Sequence, residues 1–539
     1  MKNLFKKGLD WSVVLLGTIL VFQVMIVIMA GIQKKGFFVD ELWGYGLANS
    51  YYHPHIYSDD VFNRGEYLSP QYFKDYLEVS KEDAFQYGSV FYNQSQDAHP
   101  PLFYCVLHTI SSFFQNTFSK WYGIIPNIIY FVISGIGIYV LSVSIIKNKY
   151  VSLLPVLFWG FSAQTVSYTI LVRMYMMFAM FAILDTMLHK SYLTDGKVWN
   201  KKTYMGLFFV NLGGCLTQYY YYLFAFFLSA FTVIVMLFKK QWKQFLYYSG
   251  VMLSSVISAI IIFPGIIKTF TDNRGSEAID NLLSERSWLE LLKSYLDNIN
   301  DKLLYAWNKW LIVLIIISIV LSLIIGVMHN INKTLKELLL KSNWLISAIE
   351  ITLFFYMIII IKISPFIADR YYYPIMPFAW ILVVYWIYKG FSYLKYGTYV
   401  SACLMILITS MTVFQGYKSN KIMYQYKSQE MMMESLKDFK NASCIFITNG
   451  RQYTVVVHSL ELQNFSEIKV IDVSRENLME AEIHNQSPYM VVYIDDQLNQ
   501  EEIIAQICQR TGYKQYASIG RGSGIWWEDA QEIYVYAFR

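Results

Sequence analysis

Residues 11–43 read WSVVLLGTILVFQVMIVIMAGIQKKGFFVDELW. The first part of this stretch, residues 11–32, carries no charged side chain, and at about 1.5 Å per residue a helix of that length crosses the ~30 Å hydrocarbon core of a bilayer. Lys2, Lys6 and Lys7 precede it. Because cleavable signal peptides have shorter apolar cores, we interpret the stretch as a retained signal anchor.

The composition of the whole chain also indicates a membrane protein. Of its 539 residues, 55% are hydrophobic and 15% are charged, whereas soluble domains carry roughly 25% charged residues. Aromatic side chains make up 18% and suit the headgroup layers of a bilayer. The net charge is only +5 and no basic block is present, so nucleic acid is not expected as a partner.

Further apolar runs of spanning length follow, and with the first they predict about eleven transmembrane helices. The further runs are residues 122–146, 150–171, 174–188, 203–219, 220–238, 245–267, 310–328, 344–361, 373–388 and 396–414.

The positive-inside rule sets the topology. Residues 33–121 form a first outer loop, and its apolar piece, residues 100–118, is expected to lie as a helix in the interface. With that choice the lysine-rich short loops all fall on one side, which is then the cytoplasm. The N-terminus is therefore expected in the cytoplasm, and the protein in the cell membrane.

The tail after the last span has soluble character. Apolar segments at residues 444–448, 468–473, 490–494 and 533–538 are typical of short strands, and residues 476–484 and 500–510 of helices between them. We therefore divide the chain into a transmembrane domain, residues 1–414, and a small extracytoplasmic α/β domain, residues 415–539.

An acidic pair, Asp40-Glu41, follows the first span among aromatic side chains. Two carboxylates at the edge of a bilayer are costly to leave unpaired, so an arginine, a metal ion or a substrate is expected beside them. A fixed carboxylate there can take the proton of an acceptor hydroxyl or hold a divalent cation. Asp40 and Glu41 are thus candidates for catalysis and for a metal site; the alternative is a solvated helix end.

Two arginines stand at outer helix ends, in loops otherwise poor in cations: Arg173 before Met174-Tyr175, and Arg370 before Tyr371. Guanidinium groups bind phosphate oxygens bidentately, as a lipid-linked phosphate would require. The alternative for either arginine is snorkelling toward headgroups. Function is favoured because these arginines and the acidic pair gather at one face.

A histidine and two prolines open the predicted interfacial helix, in His99-Pro100-Pro101-Leu102, with Asp97 just before them. Proline suits a first helical turn because the N–H that it lacks would be unpaired there. Taken alone, His99 and Asp97 indicate a helix start with an exposed histidine.

Taken in order, these motifs resemble the GT-C superfamily of glycosyltransferases, in the branch of protein O-mannosyltransferases and aminoarabinose transferases. The resemblance covers about residues 11–377. It rests on four motifs. Asp40-Glu41 is similar to that branch's acidic pair, and residues 99–104 are similar to its His-Pro-Pro-Leu helix. Residues 172–175 are similar to its Glu-Ala-Arg-Met-Tyr motif, and residues 370–374 to its Arg-Tyr-hydrophobic-Pro motif.

The resemblance implies an all-α polytopic membrane protein with the GT-C fold, interfacial helices in the first outer loop and a cavity open to the bilayer. A divalent metal ion is the one cofactor that it leaves open. By position it implies a base or metal site at Asp40 with Glu41 as partner, binding of the donor phosphate by Arg173, Tyr175, Arg370 and Tyr371, and an acceptor or active-site loop at Asp97 and His99.

Two positions depart from the pattern of the branch. Leu171 stands where the common motif has a glutamate, and Thr217-Gln218-Tyr219 stands where relatives often have a histidine. These changes bear on metal dependence and on the type of acceptor.

The leading hypothesis is an inverting hexosyl- or pentosyltransferase. It moves a sugar from a polyprenyl-phosphate donor to a glycan, lipid or protein acceptor at the outer face of the membrane. One alternative is a lipid or polysaccharide transporter, since Asp185 and Glu350 lie within predicted spans. The other is an assembly protein whose outer domain binds a partner.

Overall fold

The computed structural model describes residues 10–56, 65–304, 343–392, 394–419, 421–451, 453–484, 487–522 and 532–539, and four isolated positions, Val313, Ile317, Val320 and Ile324. The predicted span at residues 310–328 lies outside the continuous stretches among these described residues.

The first span is a helix, and the described part of the predicted first outer loop contains further helices. Helix α1 is Trp11–Gln33, and its first turn is capped by the Asp10 carboxylate, which accepts from the N–H of Ser12. Helix α2, Val39–Asn49, carries Asp40 and Glu41 in its first turn, where the helix dipole favours negative charge. The rest of the loop contains α3, Pro70–Leu77, α4, Tyr87–Ser95, and α5, Leu102–Phe113.

Helix α5 has the place and the length expected of an interfacial helix. Its 12 residues span about 18 Å, which is shorter than the hydrocarbon core. This length agrees with the expected interfacial position, which stays a prediction.

The remaining helices of the apolar part follow in chain order. They are α6, Trp121–Ile146; α7, Leu154–Phe161; α8, Ala163–Ile170; α9, Tyr175–Asp195; α10, Lys201–Cys215; α11, Tyr220–Phe238; α12, Trp242–Ile262; α13, Gly265–Thr271; α14, Asn273–Leu283; α15, Trp288–Ile299; α16, Trp344–Ile363; α17, Met376–Phe391; and α18, Gly397–Lys418.

Among the described residues, 7 helices are long and apolar enough to cross a membrane, or up to 8 if the bent pair α8 and α9 is one span. The chain is therefore a multi-pass membrane protein, as predicted. The number of about eleven spans is not confirmed.

A break in the chain explains part of the difference. The run at residues 150–171, expected as one span, is divided at Ser162, whose Oγ accepts from the N–H of Thr165 at 3.1 Å and caps α8. After α8 the chain bends by 111° into α9. The bend holds residues 171–174, so it fixes the position of Arg173.

The tail folds around one sheet of six strands. They are β1, Tyr67–Leu68; β2, Ser443–Thr448; β3, Glu467–Asp472; β4, Met490–Asp495; β5, Tyr516–Gly522; and β6, Ile533–Phe538, in the order β1-β3-β2-β4-β6-β5. Strand β2 is parallel to both β3 and β4, whereas β6 is antiparallel to β4 and β5. The predicted strands are confirmed within one residue; β5 and β1 were not predicted.

Four helices belong to the tail: α19, Ser428–Ser435; α20, Thr454–Val457; α21, Ser459–Leu462; and α22, Gln500–Thr511. Ile503, Ile504 and Ile507 of α22 pack on strand residues of the sheet, so the expected α/β character is present. The predicted helix at residues 476–484 is wrong. Side chains there bond to nearby backbone instead, as Asn477 Oδ1 does to the N–H of Met479, which competes with helix formation.

One strand joins the first outer loop to the tail. Tyr67 and Leu68 pair antiparallel with Lys469 and Ile468 of β3. The sheet thus includes residues from both predicted domains, and the division at residues 414 and 415 stays a prediction.

Candidate functional site

A cavity of about 490 Å³ lies between α2, the loop before α5, the starts of α9 and α11 and the end of α16. Its volume is within the range of about 300–1,000 Å³ common for small-molecule sites. Every site residue predicted from the sequence except Glu41 lines it: Asp40, Asp97, His99, Arg173, Tyr175, Arg370 and Tyr371. Residues from four distant parts of the chain are therefore brought to one chamber.

Asp40 and Arg370 form an ion pair at this cavity. Arg370 Nη1 lies 2.7 Å from Asp40 Oδ2, and the two side chains are 17% and 13% exposed. The guanidinium also lies over the rings of Phe366 and Tyr371, at 5.0 and 5.6 Å from their centroids. Burial opposes its charge, but Tyr175 and Asp40 raise the pKa of Arg370 above its ordinary value. Arg370 is therefore a permanent cation.

Arg173 contacts the backbone of Asp40 rather than its carboxylate. Its Nη1 donates to the carbonyl oxygen of Asp40 at 3.0 Å, and its guanidinium lies 5.8 Å from the ring centroid of Tyr104. Its Nε is buried and has no hydrogen-bond acceptor among the described residues. Although burial opposes it, Tyr104 and Asp40 raise the pKa of Arg173. A buried cation with a spare donor suits an anionic ligand.

Asp97 and His99 support Arg173 from its other side. His99 Nδ1 lies 2.8 Å from Asp97 Oδ2, and His99 Nε2 lies 3.4 Å from Arg173 Nη2. Burial lowers the pKa of His99, against the opposing effect of Asp97. Burial also opposes ionisation of Asp97, but His99 and Arg173 outweigh it and lower the pKa of Asp97.

The partners of His99 assign its hydrogen bonds, because a guanidinium such as that of Arg173 can only donate. A neutral imidazole donates from Nδ1 to the Asp97 carboxylate and accepts at Nε2 from Arg173. The histidine thus connects a carboxylate to the guanidinium and orients it.

Glu41 is the predicted site residue that does not line the cavity. Its Oε2 accepts from Lys34 Nζ and from the N–H of Phe38, both at 2.9 Å, and its Oε1 accepts from the N–H of Val172 at 2.8 Å. Both oxygens are occupied and the side chain is 0% exposed. Its contacts are those of a residue that holds the backbone of the site.

Further residues line the cavity that no motif indicated. Gln218 and Tyr219, at the position of the departure from the branch, are among them, as are Arg274 and Glu277 of helix α14. Burial raises the pKa of Tyr219 to about 12. Of these residues, only Gln218 and Tyr219 were singled out in the sequence, because α14 comes to the cavity through tertiary packing.

The donor set does not fit a metal held by the protein. No group of three or more His, Cys, Asp and Glu side chains is arranged to bind a metal within the described part of the chain. Of the two metal candidates, Asp40 is paired with Arg370 and Glu41 with Lys34.

The acidic residues within the spans lie apart from this chamber. Asp185 Oδ1 is 3.4 Å from His189 Nδ1, and Glu350 Oε1 accepts from Trp386 Nε1 at 2.9 Å. Neither residue lines the cavity.

No protein-family model matches this sequence, and no curated protein matches it either. Among solved structures, ArnT from Cupriavidus metallidurans bound to undecaprenyl phosphate matches at 10% identity and a TM-score of 0.49, covering 96% of this chain and 97% of that chain. The chain is similar to ArnT. The apo state of ArnT matches at 9% identity and a TM-score of 0.45, with the same coverage.

ArnT is an aminoarabinose transferase, a member of the branch that the sequence motifs resemble. The likeness to ArnT concerns the overall course of the chain and assigns no role to any residue.

Proposed function

We propose that this protein is a membrane glycosyltransferase of the GT-C type. It transfers a sugar, with inversion, from a polyprenyl-phosphate donor to an acceptor hydroxyl at the outer face of the membrane. One observation carries the proposal: Asp40, Arg173 and Arg370 line a single cavity, with the carboxylate 2.7 Å from the Arg370 guanidinium.

Asp40 is the proposed base. The acceptor hydroxyl gives its proton to the carboxylate as its oxygen attacks the anomeric carbon of the donor. The bond between that carbon and the phosphate oxygen breaks, and the electron pair leaves with the polyprenyl phosphate. No step passes through a metal ion, in keeping with the donor set of the site.

Arg173 and Arg370 are the proposed phosphate ligands. Charge grows on the leaving phosphate as the bond breaks, and fixed donors aimed at it stabilise the transition state by about 3–4 kcal/mol each. Arg173 has a buried Nε available, and a guanidinium has donors beyond the one that Arg370 gives to Asp40. Tyr175 and Tyr371 line the cavity beside them and complete the proposed phosphate pocket.

The apolar walls of the cavity favour a donor that is attached to a lipid. Its lining includes the apolar side chains of Leu223, Phe270, Ile363 and Phe366, and Phe270 is 52% exposed. We infer that the sugar phosphate lies in the polar part of the cavity and that the polyprenyl tail extends from it into the bilayer. The proposed acceptor is a protein, a lipid or a cell-surface polymer, and each class can be tested in a transfer assay.

Replacement of Asp40 tests the function. We expect Asp40→Asn to lower transfer from labelled polyprenyl-phosphate sugar in membrane vesicles by about a hundredfold or more, since it removes a general base. Binding of undecaprenyl phosphate should persist, because both arginines remain. The matched control is Asp75→Asn, an exposed aspartate of the same loop bonded to Gln71. Full transfer by the Asp40→Asn enzyme would refute the assignment.

A further inference from the structure

A buried ion pair lies directly behind the site. Lys34, which follows the last residue of α1, is 1% exposed, and its Nζ donates to Glu41 at 2.9 Å and to the carbonyl oxygen of Tyr424 at 2.6 Å. Neither side chain of the pair reaches solvent. Two charges are buried here only because each has close partners.

Glu41 of this pair connects the backbone next to Asp40 with the backbone next to Arg173. Glu41 does not line the cavity itself, but Asp40 is its neighbour in the chain, and its Oε1 accepts from the N–H of Val172, the neighbour of Arg173. Arg173 in turn donates to the carbonyl oxygen of Asp40. One carboxylate therefore fixes the backbone that carries the proposed base relative to the backbone that carries a proposed phosphate ligand.

Residues 421–430, which follow α18 and include the first residues of α19, contact Lys34 of the pair. We call this segment the linker. The carbonyl oxygen of Gln425 accepts from the N–H of Lys35 at 2.7 Å, and Gln429 Oε1 accepts from the N–H of Phe37 at 3.3 Å. With the bond from Lys34 to Tyr424, the linker thus contacts three of the residues just ahead of α2: Lys34, Lys35 and Phe37.

The backbone of the linker is shaped for these contacts. Tyr424 and Tyr426 have φ of 68° and 48°, a left-handed conformation that bulky residues seldom adopt and that persists where the surroundings impose it. Opposite them, a Cβ on Gly36 would lie 2.8 Å from the Cβ of Tyr426. Only glycine lets the two backbones approach this closely.

We propose that Lys34 and Glu41 are positioning residues, and that with the linker they hold Asp40 and Arg173 in the geometry needed for sugar transfer. This inference rests on the proposed function. The segment that leads into the C-terminal sheet is then part of the catalytic unit. The charges of Arg173 and Arg370 do not depend on the pair, so its loss should misplace the base more than it weakens donor binding.

The test compares Lys34→Met, Glu41→Gln and the double variant in the full-length protein. The readouts are kcat and donor KM for labelled polyprenyl-phosphate sugar, binding of undecaprenyl phosphate, and the thermal unfolding midpoint in detergent. We expect Lys34→Met to lower kcat on the order of a hundredfold, as a misplacement of about 1 Å can, with donor KM and lipid binding close to those of the wild type.

The double variant separates positioning from stability. It leaves no unpaired buried charge, so its unfolding midpoint should recover toward that of the wild type, while kcat stays low because the contact between the two side chains is still lost. Recovery of kcat together with the midpoint would show that the pair only stabilises the fold and would overturn the proposal.

Lys35→Met is the matched control. Lys35 pairs with Glu430 of the same linker at 2.6 Å, but the two side chains are 36% and 58% exposed, and such pairs contribute little. It should leave kcat unchanged. Wild-type protein that binds undecaprenyl phosphate but transfers no sugar would refute the proposed function; wild-type transfer with an undiminished kcat in Lys34→Met would refute only the positioning role.

Discussion

Arg370 Nη1 lies 2.7 Å from Asp40 Oδ2, although the two residues are 330 positions apart in the chain. The pair neutralises a carboxylate whose side chain is only 13% exposed, where an unpaired charge is costly. The same guanidinium has further N–H donors. It can therefore hold the proposed base and a phosphate at once.

Replacing Arg370 should affect both the Asp40 carboxylate and the donor phosphate. We expect Arg370→Ala to lower kcat/KM for the lipid-linked donor on the order of a hundredfold, because a charged donor to the transition state is lost. Arg370→Lys keeps the charge without the planar fork, so it should recover only part of the loss. Initial rates at varied donor concentration measure both. Equal kcat/KM in wild type and Arg370→Ala would remove Arg370 from the phosphate site.

The contact of His99 with Arg173 predicts a pH dependence. Burial lowers the pKa of His99 from its ordinary value of 6.5, so the neutral form persists to a lower pH than in free histidine. Protonation makes Nε2 a donor, which ends its bond from Arg173 and sets two cations side by side. We therefore expect the transfer rate to fall on the acid side with a midpoint below pH 6.5.

His99→Gln identifies the group responsible. A glutamine amide can accept from Arg173 but does not titrate in this range, so this part of the acid limb should disappear. Rate profiles of wild type and variant between about pH 5 and 7 measure the difference. An unchanged acid limb in His99→Gln would assign the titration to another group.

The stability of the folded protein should also decrease at acid pH. Because the folded-state pKa of His99 is lowered, the unfolded chain binds the proton more tightly. The contribution of His99 to the free energy of unfolding is therefore present above the unfolded-state pKa and is lost as the pH falls from that pKa through the folded-state pKa.

The parts of the fold that follow from local pattern were predictable. The uncharged run after Trp11 predicts α1, and short apolar segments predict β2, β3, β4 and β6 of the tail. The division at Ser162 was not, since the predicted run continues through it, whereas the Ser162 hydroxyl donates to the carbonyl oxygen of Trp159 at the end of α7 and accepts from the N–H of Thr165 at the start of α8. Helix boundaries inside apolar runs depend on such single caps.

The site shows the same division between local and distant information. The motifs predicted Asp40, Arg173 and Arg370 at one site with Glu41 as the partner of Asp40, but they did not show that Glu41 lies outside the cavity, because both carboxylates are in the first turn of α2. Their roles differ through partners far away in the chain: Tyr424 behind Lys34, and Val172 beside Glu41. Contacts at such sequence separation leave no periodic signal.

The acidic residues within the spans distinguish transferase from transporter. Asp185 lies beside His189 in α9, and Glu350 accepts from Trp386 Nε1 across α16 and α17; neither lines the cavity. A transporter that moves its substrate across the bilayer would use such groups along its path. A transferase whose chemistry occurs at Asp40 would not need their charge.

We therefore expect Glu350→Gln and Asp185→Asn to transfer sugar at rates within about twofold of the wild type, a change of roughly 0.5 kcal/mol. Glu350→Gln keeps an amide oxygen to accept from Trp386, so its folding should be preserved as well. The assay is transfer of labelled sugar in vesicles, normalised to folded protein, with Asp40→Asn measured in the same preparation. Loss of transfer in the folded Glu350→Gln and Asp185→Asn proteins, with Asp40→Asn active, would favour the transporter, because activity would then depend on charge within the membrane and not on the carboxylate at the cavity.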